Sequence, residues 1–191
     1  MKTIILASTS LRRKEFLEKL GLKFKVVESG YKENMNLPLS PPSLARFLSK
    51  EKARAVIKRF PQSLVIAADT VVVCRGQIIG KPRTKKEAVR MLRLLSGRYN
   101  FVFTGFTVID GAKQKTVTRV VKTKVYFRKL APSEIKAYVR SGEPFGKAGA
   151  YAIQGLGAIF IKKIEGDYSN VVGLPLHVLS AVLKKFNVSI L

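Results

Sequence analysis

Asp69 sits inside Leu64-Val65-Ile66-Ala67-Ala68-Asp69-Thr70-Val71-Val72-Val73, a short apolar run rich in β-branched residues. Such a run predicts a strand buried on both faces. A carboxylate there is costly unless it is paired, hydrogen-bonded or on a metal. Downstream, Gly80-Lys81-Pro82 reads as a turn that could bring an ammonium back beside that carboxylate. A strand delivering Asp69 and a turn delivering Lys81 would make a phosphate-and-metal site; the alternative is a strand-end aspartate that only caps a turn. Near the N-terminus, Ser8-Thr9-Ser10-Leu11-Arg12-Arg13 follows a short apolar run. Free backbone N–H groups at a helix start, hydroxyl donors and two guanidiniums together suit phosphate. The alternative there is that Ser8 or Ser10 caps the helix and the arginines are solvated.

Alternating strand and helix patterns must position these groups. Residues 3–7 read as a strand, 11–20 as a helix stopped by Gly21, and 24–28 as a second strand. A polar loop containing Glu33 leads to Pro41-Pro42 and a helix over about 43–59, with Leu44, Phe47 and Leu48 on one face and Glu51-Lys52 in its middle. Taken alone, Glu33 is a solvated loop carboxylate. Residues 84–95 carry a capping-box pattern, Thr84 and Glu87, and an apolar helical stripe. Two long extended runs, 101–109 and 115–127, are joined through Asp110-Gly111, a hairpin signal. A helix over 132–140, a strand over 158–164 and a helix from Pro175 to about Phe186 complete the α/β pattern. His177, the only histidine, lies in the first turn of that last helix, and nothing chemical flanks it.

The 191 residues suffice for one large domain or two small lobes around a buried core. With 47% hydrophobic and 25% charged residues the chain is globular, not disordered. Its charge is unusual: 36 Lys+Arg against 12 Asp+Glu give +24. Such a field attracts nucleic acid, anionic membranes or small polyanions such as nucleotides. The basic residues are spread along the chain, and no aromatic residues interleave with them in a stacking pattern. The lone Cys74 cannot form an intramolecular disulfide, which fits a reducing cytoplasm. No signal peptide and no apolar run of membrane-spanning length is present, so a soluble, cytoplasmic protein is expected.

Six motifs occur in one order: Ala7-Ser8-Thr9-Ser10-Leu11-Arg12-Arg13, Glu51-Lys52-Ala53, Ala68-Asp69-Thr70-Val71, Gly80-Lys81-Pro82, Lys147-Ala148-Gly149-Ala150-Tyr151-Ala152-Ile153-Gln154-Gly155 and Ser169-Asn170-Val171-Val172-Gly173-Leu174-Pro175-Leu176. Together they resemble the Maf family of nucleoside triphosphate pyrophosphatases, from Leu6 to beyond Leu176. The resemblance implies a single two-lobed domain over 1–191, with an elongated mixed sheet, flanking helices and a cleft between the lobes, similar to the inosine-triphosphatase-like enzymes. It implies a homodimer, a divalent metal (Mg2+ or Mn2+), and hydrolysis of a nucleoside triphosphate to the monophosphate and pyrophosphate. The position matching Asp69 is the family's acceptor of the water proton. Those matching Ser8, Arg12, Arg13, Glu33, Lys52 and Lys81 line the site. The chain departs from the pattern at Leu11, where proline is usual, and at Gly146, where an acidic residue is common.

Attack of water at the α-phosphorus builds charge on phosphoryl oxygens, so positioning and electrostatics dominate. Arg12, Arg13, Lys52 and Lys81 would neutralise the phosphate tail, and Glu33 and Asp69 are the candidate metal carboxylates. Tyr151-Ala152-Ile153-Gln154-Gly155 is similar to the subgroup acting on dTTP and UTP. The Gln154 amide could accept from a pyrimidine N3–H and donate to a neighbouring carbonyl, with Thr70 completing the second carbonyl. A basic regulator that binds nucleic acid and keeps only a vestigial nucleotide site is the competing, less favoured reading.

Overall fold

The computed structural model describes residues 2–190. In chain order the elements are β1 (Ile4–Leu6), α1 (Leu11–Lys19), β2 (Lys25–Val26), α2 (Pro41–Ile57), β3 (Leu64–Cys74), β4 (Gln77–Ile79), α3 (Lys85–Leu95), β5 (Tyr99–Asp110), β6 (Lys115–Phe127), α4 (Pro132–Arg140), β7 (Ile161–Glu165), α5 (Tyr168–Val172) and α6 (Leu176–Lys184). The strands form one mixed seven-stranded sheet, β2-β1-β3-β5-β6-β7, with β4 also paired to β3.

The site follows from how β3 is shared. Antiparallel β5 fills one edge of β3 from Leu64, opposite Asp110, to Val73, opposite Phe101. The other edge is divided. Parallel β1 takes Leu64 to Ile66, and antiparallel β4 takes Val72 to Cys74. Residues 67–71 therefore have no strand beside them on that side, and Asp69 and Thr70 stand in the gap. A break in a ladder exposes backbone groups that need other partners. Such breaks are natural places for a polar site.

Alternation along β3 sets the layers. Val65, Ala67, Val71 and Val73 turn to the face covered by α2, against Ala53 and Val56 at one end and Leu44, Ala45 and Leu48 at the other. α2 can lie this close because Gly105 has no side chain: a Cβ there would sit 2.2 Å from the Ala45 carbonyl oxygen. Gly105 pairs with Asp69 across the β3–β5 ladder, so the same close approach brings α2's Lys52 down beside Asp69. On the opposite face the helices split. Leu64, Ile66 and Ala68 pack with α1 and α6 residues such as Leu17 and Leu179, whereas Val72, Val102 and Val125 pack with Leu92 of α3 and Ile135 of α4. The cleft lies between these two groups and opens onto the gap in β3.

Three features were not visible in the periodicity. β4 is only three residues long, and it follows a two-residue turn whose Arg75 and Gly76 both take positive φ, 51° and 76°. That is the hairpin geometry usually signalled by Asn-Gly. The strand read over 158–164 is displaced: Leu156–Phe160 forms a 3-10 turn and β7 begins only at Ile161. Glu143 causes this by capturing the N–H groups of Leu156 and Gly157, at 2.9 and 3.0 Å. The short α5 has no periodic signal of its own. Its N-cap is Asp167, whose carboxylate accepts from the Asn170 N–H. The β5–β6 connection is longer than Asp110-Gly111 signals: Asp110 still pairs with Lys115, and the positive φ falls at Gln114, 51°. His177 is exposed on α6 and Cys74 is a buried free thiol. No helix among the described residues is long and apolar enough to cross a membrane.

Candidate functional site

Lys52 and two carboxylates form the centre. The ammonium donates to Asp69 Oδ1 and lies 2.6 Å from Glu33 Oε1. Asp69 and Lys52 are each more than nine-tenths buried. Asp69 comes from the β3 gap and Lys52 from α2. Glu33 comes from a loop whose Tyr31, Met35 and Leu37 pack against Leu44, Leu48 and Val71, so the loop is pinned on both sides of the carboxylate. Burial pushes the Glu33 carboxyl up, but the charge and hydrogen bond of Lys52, then Lys81 and Arg13, bring it below its ordinary value. The bland sequence reading of Glu33 as a solvated carboxylate is therefore superseded.

Arg13 enters from the other side of the gap. Its Nε donates to the Gly173 carbonyl at 2.8 Å, and Nη1 donates to the Ala68 carbonyl at 2.8 Å and to Ser8 Oγ at 3.2 Å. Nη2 donates to Thr70 Oγ1 at 3.2 Å. The guanidinium satisfies the β3 edge that no strand covers, and it ties β1, β3 and the α5–α6 junction together. Burial pushes it down, and Asp69 partly offsets this. Leu11 does not disturb the arrangement. It opens α1 with its side chain 72% exposed. Gly146 takes a φ of +73°, a conformation that a side chain would strain.

The proton order around Thr70 follows from its neighbours. Thr104 Oγ1 donates to the Asn170 carbonyl at 2.9 Å, so in the Thr70–Thr104 contact of 3.0 Å Thr70 is the donor. Thr70 also accepts from Arg13. In this arrangement its proton points to Thr104 rather than into the cleft, so the role expected from sequence, giving it to a base carbonyl, requires the hydroxyl to turn away from Thr104. What it offers the cleft is a lone pair.

The cleft consists of two adjoining compartments of about 600 and 630 Å3. Arg12, Arg13, Glu33, Lys52, Lys81 and Lys147 line both. Asp69, Thr70 and Gln154 line the first, with Tyr151 and Ile153, and Ser8 lines the second. All nine residues singled out in the sequence therefore border one continuous space. Lys81 is placed by Gly80, whose carbonyl accepts from the Gly149 N–H at 3.0 Å.

Sequence reasoning missed two groups. Lys147 lines both compartments, its ammonium held by the Glu143 and Phe145 carbonyls at 2.6 and 3.4 Å. Burial and then Arg12 push it down. Its motif carried the signal, but no carboxylate partner marked it. Glu143 is the second. Its carboxylate accepts from Tyr138 Oη, Leu156 N and Gly157 N, while Tyr138 Oη in turn accepts from Ala152 N at 3.2 Å. The segment that carries Gln154 is thus clamped at both ends. Gly155 makes room for the clamp: a Cβ there would sit 2.3 Å from Glu143 Oε2.

Among the described residues no group of three or more His, Cys, Asp and Glu side chains gathers as a metal cage. Glu33 and Asp69 nevertheless converge on one cation, the Lys52 ammonium. Two carboxylates are a usual protein contribution to a magnesium-type ion that takes its remaining oxygens from water and phosphate.

Comparison with known proteins agrees with this geometry. A family model described as Maf-like protein matches residues 3–186. A protein of Pelotomaculum thermopropionicum named dTTP/UTP pyrophosphatase is 48% identical over 191 residues, covering 100% of both chains. One of the same name from Methanosarcina barkeri is 49% identical, covering 100% of this chain and 97% of that one. Among solved structures, a HAM1 protein from Coxiella burnetii aligns with a TM-score of 0.52 at 16% identity, over 97% of this chain and 100% of that one. The Staphylococcus aureus Ham1 protein gives 0.55 at 13% identity, over 96% and 99%. At such identities the structures speak for the fold alone. With its six motifs lining one cleft and a family match across almost its whole length, the chain belongs to the Maf family.

Proposed function

We propose that this protein is a nucleoside triphosphate pyrophosphatase that hydrolyses dTTP and UTP to the monophosphate and pyrophosphate. The observation that carries the reading is the Lys52–Asp69–Glu33 centre, set where the two compartments meet and ringed by Arg12, Lys81 and Lys147. Full-length relatives named dTTP/UTP pyrophosphatase support the substrate class.

Cations around a polyphosphate hold the tail at several points and neutralise charge as the bond to the leaving pyrophosphate breaks. Arg12, Lys81 and Lys147 are the groups for this. Arg13 acts at one remove, fixing Ser8, Thr70 and the β3 edge. Asp69, beside the ammonium of Lys52, is the group to take the proton from the attacking water. Glu33 and Asp69 would together hold Mg2+ or Mn2+, which when bound would acidify a water and neutralise phosphate oxygens. Lys52 would then turn from the carboxylates toward phosphate.

Base choice falls to Gln154, whose amide can accept from N3–H and donate to a carbonyl. An amide also matches adenine, so the size of the pocket must exclude purines. A site built on hydrogen bonds rejects a base that lacks them far better than it rejects an extra methyl. In a pyrophosphate-release screen with metal present, UTP and dTTP should be turned over comparably, with CTP and the purines well behind. Gln154→Ala should flatten that ranking while leaving KM for the phosphate tail largely intact. Release of diphosphate and orthophosphate, or a preference for GTP, would overturn the assignment.

Glu143→Gln tests the clamp behind Gln154. The variant keeps one acceptor oxygen and turns an NH2 toward an N–H, so one backbone donor goes unpaired at a cost of about 1–2 kcal/mol. The melting temperature should fall by a few degrees, and the UTP-to-CTP ratio of kcat/KM should fall by about tenfold. An unchanged ratio would show that the loop keeps its place without Glu143.

A further inference from the structure

The outer end of the sheet carries a surface that the cleft does not use. On β5, Tyr99, Phe101 and Phe103 point to the face that α2 covers further along: Phe103 is half-buried against the Leu44, Leu48 and Val71 cluster, and Phe101 and Tyr99 carry the row outward from it. Their register partners on β6 are Lys122 for Phe103, Lys124 for Phe101 and Tyr126 for Tyr99. Lys163 on β7 stands opposite Tyr126. The rings form a row, with centroids 5.5 Å apart for Tyr99–Phe101, 6.3 Å for Phe101–Phe103 and 5.9 Å for Tyr99–Tyr126. Lysines lie over them: Lys122 is 4.1 Å from the Phe101 centroid, and Lys124 is 4.1 Å from Tyr99 and 4.7 Å from Tyr126. Tyr99 is 48% exposed. Along the chain the aromatic and basic residues are not interleaved; the strand register interleaves them across the sheet.

We propose that this face docks single-stranded nucleic acid. Aromatic faces on an open sheet stack unpaired bases with little regard to sequence, and flanking ammoniums pair the phosphates. The complement is favourable. The protein carries +24, which supplies long-range attraction. Glu165, the carboxylate that the described residues bring to the patch, is already engaged by Lys163 at 2.7 Å and Tyr126 Oη at 2.9 Å, which blunts its opposition to a phosphate. Each lysine that now covers a ring can swing to a phosphate as a base takes its place. None of these side chains lines the cleft, so an occupied platform leaves the cleft open. Double-stranded DNA buries its base faces and cannot stack here.

The test is fluorescence anisotropy with a labelled 15-nucleotide dA oligomer near physiological salt, using the full chain. Tyr99→Ala should weaken binding about tenfold, and Tyr99→Phe should restore it, since only the ring is needed. Lys122→Met should cost more than Lys136→Met, which removes the same charge from exposed α4. The corresponding duplex should bind more weakly than the single strand, and saturating UTP should leave oligomer binding unchanged. Circular dichroism on each variant confirms folding; should Tyr99→Ala misfold, the Lys122 and Lys136 pair decides. Equal loss for Lys122→Met and Lys136→Met would reduce the binding to net charge and overturn the proposal. So would equal affinity for the duplex, or competition by UTP, which would move the oligomer to the cleft. A dimer that Tyr99→Ala dissociates would overturn it too, by assigning the face to a second copy of the chain.

Discussion

Asp69→Asn is expected to lower kcat at least a hundredfold while leaving a folded protein. Asparagine is nearly isosteric, so the β3 gap and its pairing with Gly105 across the ladder should survive. What it cannot do is take a proton or carry charge to a metal, and either loss costs two orders of magnitude or more. Stability should fall by only about 1–2 kcal/mol, because the buried Lys52 ammonium keeps Glu33 at 2.6 Å as its second counter-charge. Full activity in the variant at saturating metal would remove Asp69 from the mechanism. Glu33 provides a companion measurement through pH. Its folded carboxyl titrates below the ordinary value of 4.5, against the push of burial, because Lys52, Lys81 and Arg13 surround it. A carboxylate of that kind stabilises the fold above its unfolded pKa, and the stabilisation fades as pH falls through the folded value. Melting temperature should therefore drop more steeply below about pH 4.5 in the wild type than in Glu33→Gln.

The parts of the fold that could be read in advance were those whose pattern reports burial. Val65, Ala67, Val71 and Val73 on one side and Leu64, Ile66, Ala68 and Val72 on the other announce a strand because both faces of β3 are covered. The stripe through Ala88, Leu92 and Leu95 announces α3 because one face of it is covered. Asp69 was legible for the opposite reason, as a charge where the pattern forbids one. The roles of Arg13 and Glu143 were not legible, because each is defined by partners far along the chain: Gly173 lies 160 residues from Arg13. Two adjacent arginines look alike in sequence and both line the two compartments, yet four hydrogen bonds commit Arg13 to the protein itself. Nothing local separates a guanidinium that meets a ligand from one that replaces a missing strand. The Thr70 proton is similar, since its direction is fixed by Thr104 and, through it, by the Asn170 carbonyl.

That division of labour is testable with Arg13→Lys. Lysine keeps the charge but has three donors on one point, and it cannot span acceptors on Ser8, Ala68, Thr70 and Gly173. At least one backbone carbonyl of the β3 edge or the Gly173 turn is then left without its partner. Each such orphan costs about 1–3 kcal/mol. The melting temperature should fall by roughly 5–10 °C, allowing 2–4 °C for each kcal/mol in a chain of this size. The corresponding Arg12→Lys change should cost little stability, because α1 presents that residue to the cleft. The kinetic signatures should differ as well. A phosphate-gripping cation lost at Arg12 raises KM for every nucleotide alike, whereas a loosened β3 edge at Arg13 lowers kcat, because Asp69 sits one residue beyond the Ala68 carbonyl that Arg13 holds. Should Arg13→Lys keep wild-type melting and instead raise KM uniformly, Arg13 would be a phosphate ligand after all, and the gap in β3 would need another explanation for its stability.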